Sequence, residues 1–262
     1  MDRPQFLLGV LAASLGASAP AAAADDVTST VDDLVAANHI LARLGVVDGF
    51  GHVSVRDPRD ATHYLLARSM APALVTAPDI LTYDLNDVAL DANGRTSYLE
   101  RFIHGAVYRA RPDVISVVHS HAPDVIPFAD SSVPLRPVYH MGSFLGTQVP
   151  IFEIRDTAGD ASDMLVSSHA LGDALAKTLG GAGVALMRGH GMVTVGARIP
   201  ESVFRSYYTM IDARLESAAI GLGGRVTYLN AAEAQHSTQT NQGIMLRAWD
   251  LWKRDYGALV TP

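Results

Sequence analysis

There is no cysteine in the 262 residues. That excludes disulfide staples, thiolate metal sites and a cysteine nucleophile. Positive charge is also scarce: 20 lysines and arginines face 27 aspartates and glutamates, a net charge of −7. With no basic tract, nucleic acid is excluded as an expected partner. No apolar run is long enough for a stable membrane span. Beyond residue 24 there is no internal repeat and no low-complexity segment.

The N-terminus carries an addressing pattern. Arg3 precedes the apolar run Phe6 to Leu15, and Ala22-Ala23-Ala24 stands just before Asp25-Asp26. A positive start, a short apolar stretch and an A-x-A site make a secretory signal. Residues 1–24 are therefore read as a signal peptide and 25–262 as the mature domain, exported to the periplasm; an unused signal would leave the protein in the cytoplasm. About 238 residues suit one large domain.

The chemistry gathers around Glu100 to His121, ERFIHGAVYRARPDVISVVHSH. Leu99, Phe102, Ile103, Ala106 and Val107 recur at helical spacing from Tyr98 to Ala110, which places Glu100 and His104 on one face. Arg111-Pro112-Asp113 stops the helix. A β-branched strand, Val114 to Val118, then leads into His119-Ser120-His121, whose imidazoles share a face at strand spacing. A third histidine, His190, sits between Gly189 and Gly191 after the apolar run Val184 to Met187. Three imidazoles with a carboxylate or an open position suit a catalytic divalent metal, whereas singly each histidine reads as a corner or core residue.

Four elements in order carry a family resemblance: Gly51-His52-Val53-Ser54, the Glu100 helix, His119-x-His121 and Gly189-His190-Gly191. Together they resemble the class II aldolase/adducin family over Val31 to Ala219. The resemblance implies an α/β fold, a three-layer α/β/α domain with a mainly antiparallel central sheet. It implies that His119, His121 and His190 hold one divalent metal per chain (zinc, or manganese, cobalt or iron), and that Glu100 is a metal ligand or the catalytic acid/base. It also implies a homo-oligomer, typically a tetramer, with active sites at subunit contacts that a neighbour's Tyr207 or Tyr208 can enter.

Where this chain departs from the sugar-phosphate members, it loses phosphate contacts. His52 follows the glycine in place of asparagine, the threonine/glycine loop is missing near Ala67 to Pro72, and Tyr98 and Leu99 replace small hydroxyl residues before Glu100. In their place His52, Ser54, Arg68 and Ser69 offer donors for a carboxylate substrate. These stretches resemble the family's decarboxylase branch, which acts on hydroxylated aromatic or pyridine carboxylates. The leading expectation is a metal-dependent lyase that decarboxylates a non-phosphorylated hydroxy-aromatic or related hydroxy-acid through a metal-stabilised enolate. Retro-aldol cleavage of an unphosphorylated hydroxy-acid or hydroxy-aldehyde, a non-catalytic adducin-like binding module and a ferrous oxygenase are the alternatives.

Further along the chain, the pattern predicts a helix capped by Ser29 or Thr30 and running to Leu44, and strands His52 to Arg56 and His63 to Leu66. It also predicts a hairpin or edge region over Leu81 to Gly94. Helices are expected over Ala122 to Ala129, Ser168 to Leu179, Pro200 to about Gly221 and Ala231 to Tyr256.

Overall fold

The computed structural model describes residues 19–260. Most of the expected signal peptide lies outside the described residues. The elements in order are α1 (Ala19–Arg43), β1 (His52–Arg56), β2 (His63–Ala67), β3 (Ile80–Asp84), α2 (Phe102–Ala110), β4 (Ser116–Ser120) and α3 (Ile126–Ala129). They continue with β5 (Ile151–Phe152), α4 (Arg155–Ala158), α5 (His169–Leu179), β6 (Val184–Met187), β7 (Gly191–Gly196), α6 (Ile199–Gly221), α7 (Ala231–Ile244) and α8 (Leu246–Val260).

The seven strands form one sheet in the order β3-β2-β1-β4-β7-β6-β5. Only the short β5 runs parallel to its neighbour β6; every other pair is antiparallel. Both faces are covered, so the strands read as continuous apolar runs and their alternate residues feed two separate cores. Val53, Val55, Leu65, Val118, Leu186 and Met192 face α1 and α6. Tyr64, Leu66, Val117, Ala185, Val193 and Val195 face α2 and α5. Three layers, α/β/α, result. Register decides which face receives each histidine, because a slip of one residue would turn His119 to the opposite core. The pairings His52↔His119 and His119↔Val193 hold it in place.

Several elements differ from the sequence expectation; the helix expected over Ala122 to Ala129, for one, is a 3-10 turn over Pro123–Val125 followed by the short α3. The first helix begins at Ala19, well before Ser29, whose hydroxyl instead donates to the Asp26 carbonyl at 3.0 Å. Alanine is the strongest helix former, and Ala21 to Ala24 extend the helix toward the N-terminus. The helix expected from Tyr98 opens as a 3-10 turn over Leu99–Arg101, with Glu100 at φ −93° and ψ 20°. The last helix is interrupted at Met245, two residues after Gly243, and becomes α7 and α8.

On the α6 side, two buried acids clamp the proline-rich loop. Asp212 accepts from the Tyr139 amide at 2.9 Å, and Glu216 from the Arg136 amide at 2.9 Å. Burial outweighs the two amide donors at Asp212 and, with help from Glu216, pushes its carboxyl up to about 7. The folded chain therefore binds the proton more tightly than the unfolded chain. Stability from this group is full below about pH 4 and is lost as pH rises toward 7. Asp212→Asn should flatten that decline, worth about 4 kcal/mol at most. Thermal melts from pH 4 to 8 check it: a slope unchanged by the substitution would assign the pH dependence elsewhere.

Candidate metal centre

Three chain segments meet at the end of the central strands. β4 starts at Ser116, two residues after its expected start, so His119 lies inside the sheet and His121 just beyond its end. The β6–β7 hairpin turns through Arg188-Gly189-His190 and delivers the third imidazole beside them. The kink at Glu100 turns its carboxylate into the same space. Two glycines permit the close packing. At Gly51 (φ +93°) a Cβ would meet Val47 at 2.6 Å and the His119 carbonyl at 3.0 Å. At Gly191 (φ +156°) a Cβ would stand 2.1 Å from the Ser120 carbonyl oxygen.

The ligand atoms of Glu100, His119, His121 and His190 all lie within 4.8 Å of one another. The His121 Nε2 is 3.1 Å from the His119 Nε2 and 3.0 Å from the His190 Nε2. The Glu100 Oε2 is 3.3 Å from the His119 Nε2, 3.4 Å from that of His190 and 3.8 Å from that of His121. Backbone carbonyls set two of the tautomers. His119 Nδ1 is 3.2 Å from the Met192 oxygen and His190 Nδ1 2.8 Å from the Met164 oxygen. A carbonyl only accepts, so each Nδ1 carries the proton and each Nε2 points a bare lone pair at the cluster.

His121 can offer a proton to one neighbour only. A cation is what satisfies several converging lone pairs and a carboxylate, so these residues fit a divalent metal bound by three nitrogens and an oxygen.

The electrostatics agree. Burial alone would push the Glu100 carboxyl up, but the imidazoles of His119, His121 and His190 outweigh it and hold it far below the usual carboxylate range. Its Oε1 accepts from the Val166 amide at 2.9 Å. Burial pushes the His119 imidazole down. At His190 burial acts the same way, yet the Glu100 carboxylate and the Met164 carbonyl carry it upward. Met164 itself has φ +70°, an unusual backbone state for a residue with a side chain, and it is this residue that orients His190.

Beside the cluster lies a cavity of about 320 Å³. Phe50, Met70, Leu99 and Leu165 give it apolar walls, while His52, Ser69, Glu100 and His121 supply polar groups. Tyr98 closes one side, its hydroxyl donating to the Met70 carbonyl at 2.6 Å and its ring 4.6 Å from that of His52. Burial pushes the Tyr98 phenol up to about 12.

The substrate residues expected from sequence separate here. His52 and Ser69 line the cavity. Ser54 is fully buried beneath it. Arg68 pairs with Asp79 at 2.7 Å and is not among the lining residues. Tyr207 of α6 packs against Trp252 of α8 and does not line the cavity of its own chain.

Sequence reasoning passed over His104 and Tyr108 of α2. His104 is fully buried, with Nε2 2.6 Å from the His52 Nδ1 and Nδ1 2.6 Å from the Ser54 oxygen. Ser54 in turn lies 2.7 Å from the Tyr108 hydroxyl. Burial pushes the His52 imidazole well down and that of His104 to about 3, so both are neutral. Nothing in residue spacing joins β1 to α2; a histidine four residues after the key carboxylate was the only signal.

Comparison with known proteins bears on the family and the fold. Residues 32–216 match the class II aldolase and adducin N-terminal domain. The decarboxylase tropJ of Talaromyces stipitatus is 35% identical, the match covering 83% of this chain and 90% of that protein. A 3,4-dihydroxyphthalate decarboxylase of Arthrobacter keyseri is 27% identical over 71% of this chain and 76% of its own. Among solved structures, an aldolase II superfamily protein from Pseudomonas syringae superposes with a TM-score of 0.74 at 19% identity, covering 89% of this chain and 94% of that one.

The family and its decarboxylase relatives support a lyase of the aldolase or decarboxylase kind. The chain belongs to the class II aldolase and adducin family. Among the described residues, no helix is long and apolar enough to cross a membrane.

Proposed function

We propose that this protein is a divalent-metal-dependent decarboxylase of a hydroxylated aromatic acid. The observation that carries the reading is the cavity: flat apolar walls next to a three-histidine, one-carboxylate cluster, with Tyr98 and Leu99 where a phosphate would need small hydroxyl residues. The similarity to two decarboxylases, one of which acts on a dihydroxyphthalate, supports it.

His119, His121 and His190 would hold the metal, with Glu100 completing the set. A bound divalent ion would supply Lewis acidity toward two adjacent substrate oxygens. Met70 and Leu165, with Phe50 and Leu99 at the mouth, offer the apolar surface against which the ring packs. Glu100, ionised and held by the Val166 amide, takes the proton that one substrate hydroxyl gives up once its carboxylate is free of the imidazoles and of any ion, which otherwise keep it a weak base. Glu100 passes that proton to the ring carbon that bears the carboxylate, which leaves a non-aromatic ketone form of the ring. The C–C bond to the carboxylate then breaks, its electron pair restores the aromatic ring with the charge on oxygen as an enolate, carbon dioxide leaves, and that oxygen regains a proton from solvent.

Phe50 and Leu99, 68% and 65% exposed at the cavity mouth, are the natural contacts for a neighbouring chain. Assembly as a homotetramer after export, with residues 1–24 as the signal, belongs to the same reading.

The test is carbon dioxide release from a panel of hydroxybenzoates and dihydroxybenzoates by the mature protein (residue 25 onward) loaded with zinc, manganese, cobalt or ferrous iron. Metal-dependent release is the expected result, and sedimentation of the same sample should weigh four chains. Aldehyde release from hydroxy-acids without carbon dioxide would move the protein to the aldolases. Oxygen uptake during turnover would make it an oxygenase.

A further inference from the structure

The buried chain from Tyr108 to His52 ends on the cavity wall, and its far end decides what its near end can do. Four side chains stand in line: His52, His104, Ser54 and Tyr108, with the Ile115 carbonyl 3.4 Å beyond the Tyr108 hydroxyl. His52 Nδ1 is taken by His104, and its Nε2 meets no partner among the described residues; His52 lines the cavity. None of the four is more than 4% exposed, so water does not complete the chain from the side.

Three proton arrangements satisfy the three short contacts; in one of them Ser54 accepts from both His104 and Tyr108 and its own proton is left without an acceptor in the core, so two compete. In one, every donor points inward: His52 Nδ1–H to His104 Nε2, His104 Nδ1–H to Ser54, Ser54 O–H to Tyr108, and Tyr108 O–H to the Ile115 carbonyl. In the other, every donor points outward, from Tyr108 through Ser54 and His104 to His52 Nδ1. The inward arrangement makes four hydrogen bonds and the outward one three, because the carbonyl at the end only accepts. The Val117 amide also donates to the Tyr108 oxygen. The inward arrangement therefore uses both lone pairs and the proton of that phenol, whereas the outward one leaves a lone pair idle in a dry core.

We infer that His104, Ser54 and Tyr108 hold His52 in the Nδ1–H tautomer, so that its bare Nε2 accepts a hydrogen bond from a substrate hydroxyl. His52 then touches the substrate, and the other three are positioning residues. The hydroxyl it reads is distinct from the one that gives its proton to Glu100, so the matching substrate carries two neighbouring hydroxyls on the ring. A monohydroxy acid leaves Nε2 without its donor in a dry wall. The substrate half of this inference rests on the decarboxylase reading; the tautomer half does not.

The test reads the tautomers directly, by ¹⁵N NMR of the histidine-labelled protein as purified, with signals assigned from single-histidine substitutions. The wild type should show His52 and His104 with the proton on Nδ1. Tyr108→Phe removes the oxygen that receives the Ser54 proton, leaving Ser54 to donate to His104, and both rings should switch to Nε2–H. Ser54→Ala should switch them too, which covers the case that one variant fails to fold. An Nε2–H tautomer of His52 in the wild type, or no switch in either folded variant, would overturn the inference.

The substrate arm compares 2,3-dihydroxybenzoate with 2-hydroxybenzoate. In wild type kcat/KM should favour the dihydroxy acid by about a hundredfold, the effect of one buried acceptor left without its donor, and Tyr108→Phe should erase most of that preference. Equal rates for the two acids in wild type would overturn the hydroxyl-reading role while leaving the decarboxylase reading intact. Absence of turnover with every acid, alongside the expected tautomer switch, would instead count against the decarboxylase reading.

Discussion

His121→Ala should yield a folded protein that carries almost no metal and has lost activity by more than about a thousandfold. His121 is the ligand easiest to remove without harming the fold. It lies just past the end of β4 and its side chain is 35% exposed, whereas His119 is fully buried in the sheet. It is also the geometric link of the cluster, with its Nε2 about equally far from those of His119 and His190. Two imidazoles and a carboxylate remain in the variant, one donor short of the set, so a chelator that leaves the wild type loaded should strip the variant. In the absence of metal the substitution separates crowded nitrogens, so the melting temperature of the metal-free protein should stay within a few degrees. Metal analysis after mild chelation checks the first part: near one ion per chain in wild type, below about a tenth in the variant. A variant that kept its metal and its rate would remove His121 from the site.

Gly191→Ala should cost more than about 4 kcal/mol and abolish metal binding at the same time. A Cβ at this position would lie 2.1 Å from the Ser120 carbonyl oxygen and 2.9 Å from the His121 Cα, both backbone atoms of the neighbouring strand. Backbone cannot swing aside as a side chain can. Relief requires β4 and β7 to part at Ser120↔Met192, between the two segments that bear His121 and His190. The contrasting variant is Gly189→Ala. There φ is +62° and the first contact is the flexible end of Met164 at 3.2 Å, so the penalty should be only about 1 kcal/mol. Urea titrations of the two metal-free variants measure the difference. Equal midpoints would show that the strands tolerate the added methyl group and that the glycine is not what sets their approach.

The elements differ in how much of them could be read before folding. Strand β1 and the β6–β7 hairpin were legible because β-branched runs and flanking glycines are local signals. The turn that places Glu100 was not, since its apolar pattern is as regular as any helix and only packing bends it to φ −93°. The start of α1 and the break at Met245 were misjudged for a related reason: propensity along a helix is graded, and tertiary contacts choose where it ends.

By itself the sequence determined the chemistry available. Without cysteine a metal must be held by nitrogen and oxygen, and three histidines and one glutamate stand in segments with the periodicity to present them. Apolar runs of strand length alternating with amphipathic helices also determined an α/β class, but that pattern suits a doubly wound sheet equally, and the mainly antiparallel three-layer arrangement was implied only by the family resemblance. The tertiary structure alone decided which of these groups work together. It paired Arg68 with Asp79, away from the cavity, set Ser54 below the cavity floor, and brought His104 and Tyr108 of α2 behind His52. The contacts of His52 and Ser54 with α2 join residues some fifty positions apart, and they follow from strand register and helix docking, which no local pattern encodes.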